Sequence, residues 1–247
     1  MLPRLSAIVL DYALEDISGD PVAYRDGMLA LMERITRFMA TRGLVRPAFL
    51  AAFDCGTQRI TAGPALEGQW ELSWNHGDHQ LLVTSPSYAF EIDDTGRLTD
   101  AGRRQKAALS AEALLAHEAG TGWICPTIQL AEREGAHVRV ICKAATPLVI
   151  DPADPFGAGS SAGFRLEGVT NGATIRSAEV DAKDQKSVIL RCSRRPEGEV
   201  SVVYAFGAAP GSGPFPANAG ALRDEWTAGG LHRWALPARL KLTEGGA

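Results

Sequence analysis

The segment Asp93-Asp94-Thr95-Gly96-Arg97-Leu98-Thr99-Asp100-Ala101-Gly102-Arg103 sets acids, a glycine turn and a helix start close together. An acid a few residues ahead of a proton acceptor is the pairing that general-base chemistry uses, the acid orienting the base. Arg97 holds the acceptor's place. A guanidinium stays protonated at any working pH and accepts no proton. The segment has the layout of a catalytic turn without its base. Asp94 and Arg97 are left as candidate ligand contacts.

Gly159-Ser160-Ser161-Ala162-Gly163 matches the G-x-S-x-G elbow, which needs a strand before it and a helix after it. A Pro/Asp-rich stretch precedes it and the strand-like Phe164-Arg165-Leu166 follows, so it reads as a loop. His76-Gly77-Asp78-His79 gathers two imidazoles and a carboxylate, but in a loop without the spacing of a zinc site. The four cysteines are widely spaced and form no C-x-x-C pair. Cys142 and Cys192 read as buried thiols, whereas Cys55 ends a strand, a position open to exposure. Arg223, Trp226 and Trp234 place aromatics beside charged donors, a combination that stacks on sugar rings and holds their hydroxyls. No metal or other cofactor is implied.

These residues need elements to position them. Ser6–Leu10 is a short apolar run entering an acidic loop that contains Asp16. Asp20-Pro21 opens a helix as N-cap and first residue, and Tyr24, Met28, Leu31, Ile35, Phe38 and Met39 give it one apolar stripe up to Gly43. Pro47–Phe53 predicts a strand, Pro64–Trp74 a helix and Gln80–Thr84 another strand. A helix capped by Thr99 runs to Glu118. Alternating strands and helices predict a parallel sheet with helices on its faces. Asp16, Asp94 and Arg97 would then converge at its carboxyl edge, where open α/β sheets bind ligands. After Trp123–Ile128 come only short strand-like runs: 137–142, 148–150, 164–166, 175–180, 187–192, 199–206 and 232–242. They predict a β-sandwich. The expected division is 1–128 for the α/β part and 129–247 for the all-β part.

The 247 residues carry a net charge of −4. Residues 1–128 hold 11 Lys/Arg against 16 Asp/Glu, and residues 129–247 hold 14 against 13. Neither half offers a basic platform for nucleic acid or an anionic membrane. No run approaches the roughly 20 apolar residues of a membrane span. Met1–Leu5 lacks the apolar core of a signal peptide, so synthesis in the cytoplasm is expected.

The element order, the Asp-rich turn before Leu98-Thr99-x-x-Gly102-Arg103, and the strands after Trp123-x-x-Pro126 resemble SGNH (GDSL-type) hydrolases. The variety most like it is the sialate O-acetylesterase kind with a C-terminal β-domain, several of them phage-borne. The segments Val203-Tyr204-Ala205-Phe206-Gly207, Asn218 to Asp224 and Leu231-His232-Arg233-Trp234 carry the likeness at the end of the chain. The resemblance implies a serine nucleophile in a Gly-Asp-Ser segment, glycine and asparagine oxyanion donors, and an Asp-x-x-His base. No Gly-Asp-Ser occurs in the sequence. The asparagine segment would fall on Ala13-Leu14-Glu15-Asp16, where Glu15 is an acceptor in place of a donor, and the base would fall on Arg97.

The reading is a partial, degenerate SGNH-like α/β domain followed by a β-sandwich. Its expected function is non-catalytic recognition of cell-surface or capsular polysaccharide, or attachment within a phage-like particle. Partners in that case are further copies of itself or neighbouring particle proteins. The alternatives are a purely structural virion protein and a carbohydrate O-acetylesterase, a carboxylic ester hydrolase, acting through other residues or as half of a split enzyme. The candidate ligand contacts are Asp16, Asp94, Arg97, Arg223, Trp226 and Trp234, and no catalytic residue is assigned.

Overall fold

A computed structural model describes residues 6–10 and 20–245. The first part alternates as the sequence predicts: β1 (Ala7–Leu10), α1 (Pro21–Ala40), β2 (Ala48–Phe53), α2 (Pro64–Trp74), β3 (Leu81–Pro86) and α3 (Asp100–Glu118). The caps are the predicted ones. The Asp20 carboxylate accepts from the Val22 N–H at 3.0 Å, and the Thr99 hydroxyl accepts from the Gly102 N–H at 3.2 Å.

The three strands form a parallel sheet in the order β1-β2-β3. One face carries Ile8, Leu10, Phe49 and Leu81, covered by Met28 and Met32 of α1 and Leu72 of α2. α3 packs against β2 and β3 on the opposite face. Of the predicted α1 stripe, Met28 and Met39 are buried and Phe38 is exposed, with Arg42 stacked over its ring at 3.5 Å. Among the described residues, no core cluster includes Phe38.

The second part holds β4 (Thr127–Glu134), β5 (His137–Lys143), β6 (Leu148–Ile150), β7 (Phe164–Glu167), β8 (Ile175–Val180), β9 (Ser187–Cys192) and β10 (Ser201–Tyr204). It ends with β11 (Leu222–Ala228), β12 (Leu231–Trp234), β13 (Ala238–Lys241) and β14 (Thr243–Glu244). The strands are shared among three sheets: β14-β4-β5-β9-β8, β13-β10-β7 and β12-β11-β6. The strand expected over 232–242 is broken, because the chain leaves β12 at Trp234 to join a different sheet as β13. β11 is not among the expected strand-like runs.

One core continues from the α/β part into the β part. Leu66, Tyr88, Leu109 and Trp123 belong to the same buried cluster as Val138, Leu190, Tyr204 and Trp234. Residue 128, the expected boundary, lies inside this cluster as buried Ile128 at the start of β4. No helix among the described residues is long and apolar enough to cross a membrane.

Candidate functional site

A cleft of about 960 Å³ opens at the carboxyl ends of β1 and β2. Leu10, Asp54, Thr57, Ser87 and Arg97 line it, with Arg103 and Lys106 from α3. This is the edge at which open parallel sheets bind ligands.

Asp54 is the first residue beyond β2. The Gln69 side chain of α2 clamps its backbone, accepting from the Asp54 N–H at 2.8 Å and donating to its carbonyl at 3.2 Å. Its carboxylate accepts from the Gly56 N–H at 2.8 Å. Gly56 has φ +78, and a Cβ there would overlap the Ile60 carbonyl oxygen. The next residue, Cys55, donates its N–H to the Ser87 hydroxyl at 2.8 Å. Asp54 thus sits on a loop whose backbone is held from two sides.

The third hold on this loop comes from far along the chain. Asn218 is fully buried; its amide donates to the Cys55 carbonyl at 3.0 Å and the Thr61 carbonyl at 2.8 Å. Its oxygen accepts from the Ala208 N–H at 3.0 Å. Gly211 and Ala217 donate their N–H groups to the carbonyls of Gln58 and Thr57. The β part thereby shapes one wall of a cleft that the α/β part opens.

The turn that carries Arg97 forms the opposite lip. Asp93 accepts from the Thr95 hydroxyl at 2.7 Å, the Thr95 N–H at 2.9 Å and the Arg97 N–H at 3.0 Å. These bonds, the Thr95 hydroxyl first, hold its carboxyl below the usual carboxylate range. Asp93 is spent on its own turn. The turn touches the Asp54 loop at Gly96, where a Cβ would lie 2.6 Å from the Thr57 methyl. The Arg97 guanidinium reaches the cleft, and no hydrogen bond or ion pair engages it among the described residues. Asp94 is exposed and does not line the cleft. Asp16, with Ala13–Glu15, lies outside the described residues.

The other candidates are elsewhere. Arg223 is tied to Asp151 at 2.6 Å, Trp226 stands edge-on to Trp123 at 4.8 Å, and none of them lines the cleft. Trp234 is buried against Phe156 at 4.9 Å and His232 at 5.7 Å, so its ring is not offered to a sugar. Behind them, Arg233 and Asp224 form a buried ion pair at 2.6 Å, with the guanidinium over the rings of Trp123 and Trp226. Of the described candidates, Arg97 alone lines the cleft.

Cys55, at the strand end, is fully buried beneath the Ser87 turn, and burial pushes its thiol up to about 12. Burial does the same to Cys125 and Cys142. Gly159–Ser161 forms a short turn pinned by Asp154, whose carboxylate accepts from the Ala158 and Gly159 N–H groups, and β7 follows it. His79 packs edge-on to Phe49 at 6.2 Å, and no group of three metal-ligating side chains is assembled among the described residues.

Sequence reasoning missed Asp54 and Gln69. The available signal was an acid followed by a small residue and a glycine straight after an apolar strand, Phe53-Asp54-Cys55-Gly56. Nothing local marks Gln69 as its clamp.

No protein-family model matches the chain. No curated protein matches it either. Among solved structures, the chain is similar to a carbohydrate acetylesterase from Xanthomonas citri, with a TM-score of 0.55 at 19% identity. It also matches the N-terminal part of the bacterial S-layer protein SbsC, with a TM-score of only 0.32 at 12% identity over 89% of this chain and 38% of that one. The mixed α/β fold, with its three-stranded parallel sheet, is shared with the acetylesterase over 89% of this chain, which spans 46% of that protein's length.

Proposed function

We propose that the protein is a non-catalytic carbohydrate-recognition protein that holds a cell-surface or capsular polysaccharide in the cleft at the carboxyl edge of its parallel sheet. The observation that carries this reading is that Asp54, its backbone clamped by Gln69, and Arg97, which no hydrogen bond or ion pair engages among the described residues, line one cleft. A fixed carboxylate accepts from sugar hydroxyls, and a guanidinium donates to ring and hydroxyl oxygens. No histidine is among the described residues lining the cleft, and Arg97 cannot take up a proton. The likeness to a carbohydrate acetylesterase supports a sugar as the ligand class.

Binding of the full chain to a glycan array and to capsule or lipopolysaccharide preparations tests it. Asp54→Ala and Arg97→Ala are each expected to weaken binding tenfold or more. Hydrolysis of p-nitrophenyl acetate is expected to match a heat-denatured control. Absence of all sugar binding overturns the reading, as does hydrolysis that is lost in Asp54→Ala.

A further inference from the structure

The end of the parallel sheet away from the cleft carries a different surface. α1 runs back from the carboxyl edge, where Met28 lines the cleft, to the amino ends of the strands. Its 20 residues span about 30 Å. Past its last turn Gly43, at φ +66, reverses the chain, and the Leu44 N–H donates to the Met39 carbonyl at 3.1 Å. Leu44, Val45 and Arg46 then lead toward β2.

Two kinds of side chain share this turn. Phe38 is 54% exposed, Leu44 39% and Val45 48%. Among them stand Arg34, Arg37, Arg42 and Arg46, all exposed. Arg42 stacks on the Phe38 ring, and Arg37 pairs with Glu33 at 2.9 Å. Arg34 and Arg46 make no hydrogen bond or ion pair among the described residues. Arg37 first, with His79 and Arg46 adding to it, holds the Glu33 carboxyl below the usual carboxylate range.

The local field is positive. Residues 33–46 hold four arginines against one acid, Glu33, an excess that the sum over residues 1–128 averages away. Asp78, in the loop before β3, is a further acid beside His79. Cations suit the last turn of a helix. That accounts for Arg37, but Arg34 lies a turn too early and Arg46 lies beyond the helix. Nor does it account for three apolar side chains left exposed among the cations.

We infer that this turn docks on an anionic lipid surface, with Phe38, Leu44 and Val45 entering the headgroup layer and the arginines pairing with lipid phosphates. A guanidinium forks onto a phosphate. Interfacial binding adds apolar burial to the attraction for anionic headgroups. A nucleic acid would engage the arginines and leave Leu44 and Val45 in water. A stable protein partner covers roughly 800 Å² per side, which three apolar side chains on one turn do not supply. Docked in this way, the chain turns its cleft, at the other end of α1, away from the bilayer.

The test sediments the 247-residue chain with vesicles of phosphatidylcholine, alone or with phosphatidylglycerol as about one lipid in three. Binding to the mixed vesicles is expected to be about tenfold tighter or more, and to weaken as salt rises. Arg34→Gln with Arg46→Gln is expected to weaken it about tenfold, and Phe38→Ser with Val45→Ser by about as much. A urea midpoint like the parent's shows that each variant is folded. Val22→Ser, similarly exposed at the other end of α1, is expected to keep full binding. A bimane label on Val45→Cys, the native cysteines being buried, is expected to shift to the blue with the mixed vesicles only. The proposal falls if both vesicle types bind alike, if neither binds, or if either double variant binds as the parent does. It falls if the label stays in water on the vesicles, or is already shielded without them by another part of the chain or a second copy. It also falls if inorganic phosphate at equal ionic strength releases the chain, or if a single-stranded RNA binds as tightly as the mixed vesicles. Sugar binding is measured without lipid, so failure of one proposal leaves the other standing.

Discussion

The hydroxyls of Tyr88 and Tyr204 lie 3.1 Å apart, 116 residues distant in sequence, with both rings fully buried. Tyr88 donates to the Ala235 carbonyl at 2.7 Å, so Tyr204 donates to Tyr88 and accepts from the Leu222 N–H at 3.1 Å. Burial raises the pKa of both phenols, which stay protonated and keep this order of donors. The chain of bonds joins the turn after β3 to β10, β11 and the segment after β12.

Removing either hydroxyl leaves a buried backbone group without its partner. Tyr88→Phe and Tyr204→Phe are each expected to cost about 1–3 kcal/mol in urea unfolding. The double variant is expected to cost less than the two together, because the second hydroxyl has already lost its acceptor or donor. Strict additivity would show that the two hydroxyls act independently.

The Arg233–Asp224 pair is enclosed by Trp123 and Trp226. Asp224→Ala strands a guanidinium in the core and is expected to cost about 3–5 kcal/mol. Replacing both partners together, Asp224→Leu with Arg233→Met, is expected to recover most of that loss, read as the midpoint of urea unfolding.

Gln69 serves Asp54 with both ends of its amide. Gln69→Leu keeps the volume and removes the clamp, at an expected cost of about 1–3 kcal/mol for the two stranded backbone groups. Sugar affinity is expected to fall with it, although Gln69 is buried behind Asp54. A Gln69→Leu variant that binds sugar with full affinity would show that Asp54 needs no positioning.

The Asp93 turn makes a pH signature. Its carboxyl is held below the usual range, first by the Thr95 hydroxyl and then by the Arg97 N–H. Above about pH 4 the group is ionised in both folded and unfolded chains, and its contribution is complete. As pH falls, the unfolded chain takes up the proton first, and the contribution is lost as pH drops through the folded value. The difference in Tm between the parent and Asp93→Ala is therefore expected to be greatest near neutrality and to shrink toward pH 3.

Much of the first half was legible because its signals are local. Asp20 and Thr99 cap their helices through bonds to the second and third residues onward. The second half was harder. β11 hides behind charged residues because Asp224 is buried only through Arg233 on the next strand, and Trp234 looks like a sugar platform until Phe156 covers it.

By itself the sequence determined the alternating elements of the α/β part and the side-chain caps of α1 and α3. These follow from side-chain chemistry acting within a few residues. The tertiary structure decided that Asp54 and Arg97 share a cleft while Asp94 does not, and that Cys55 is buried. Both depend on partners brought from far along the chain: Gln69 across 15 residues and Asn218 across 163. Contacts of that range are set by how the layers pack, which no local pattern specifies.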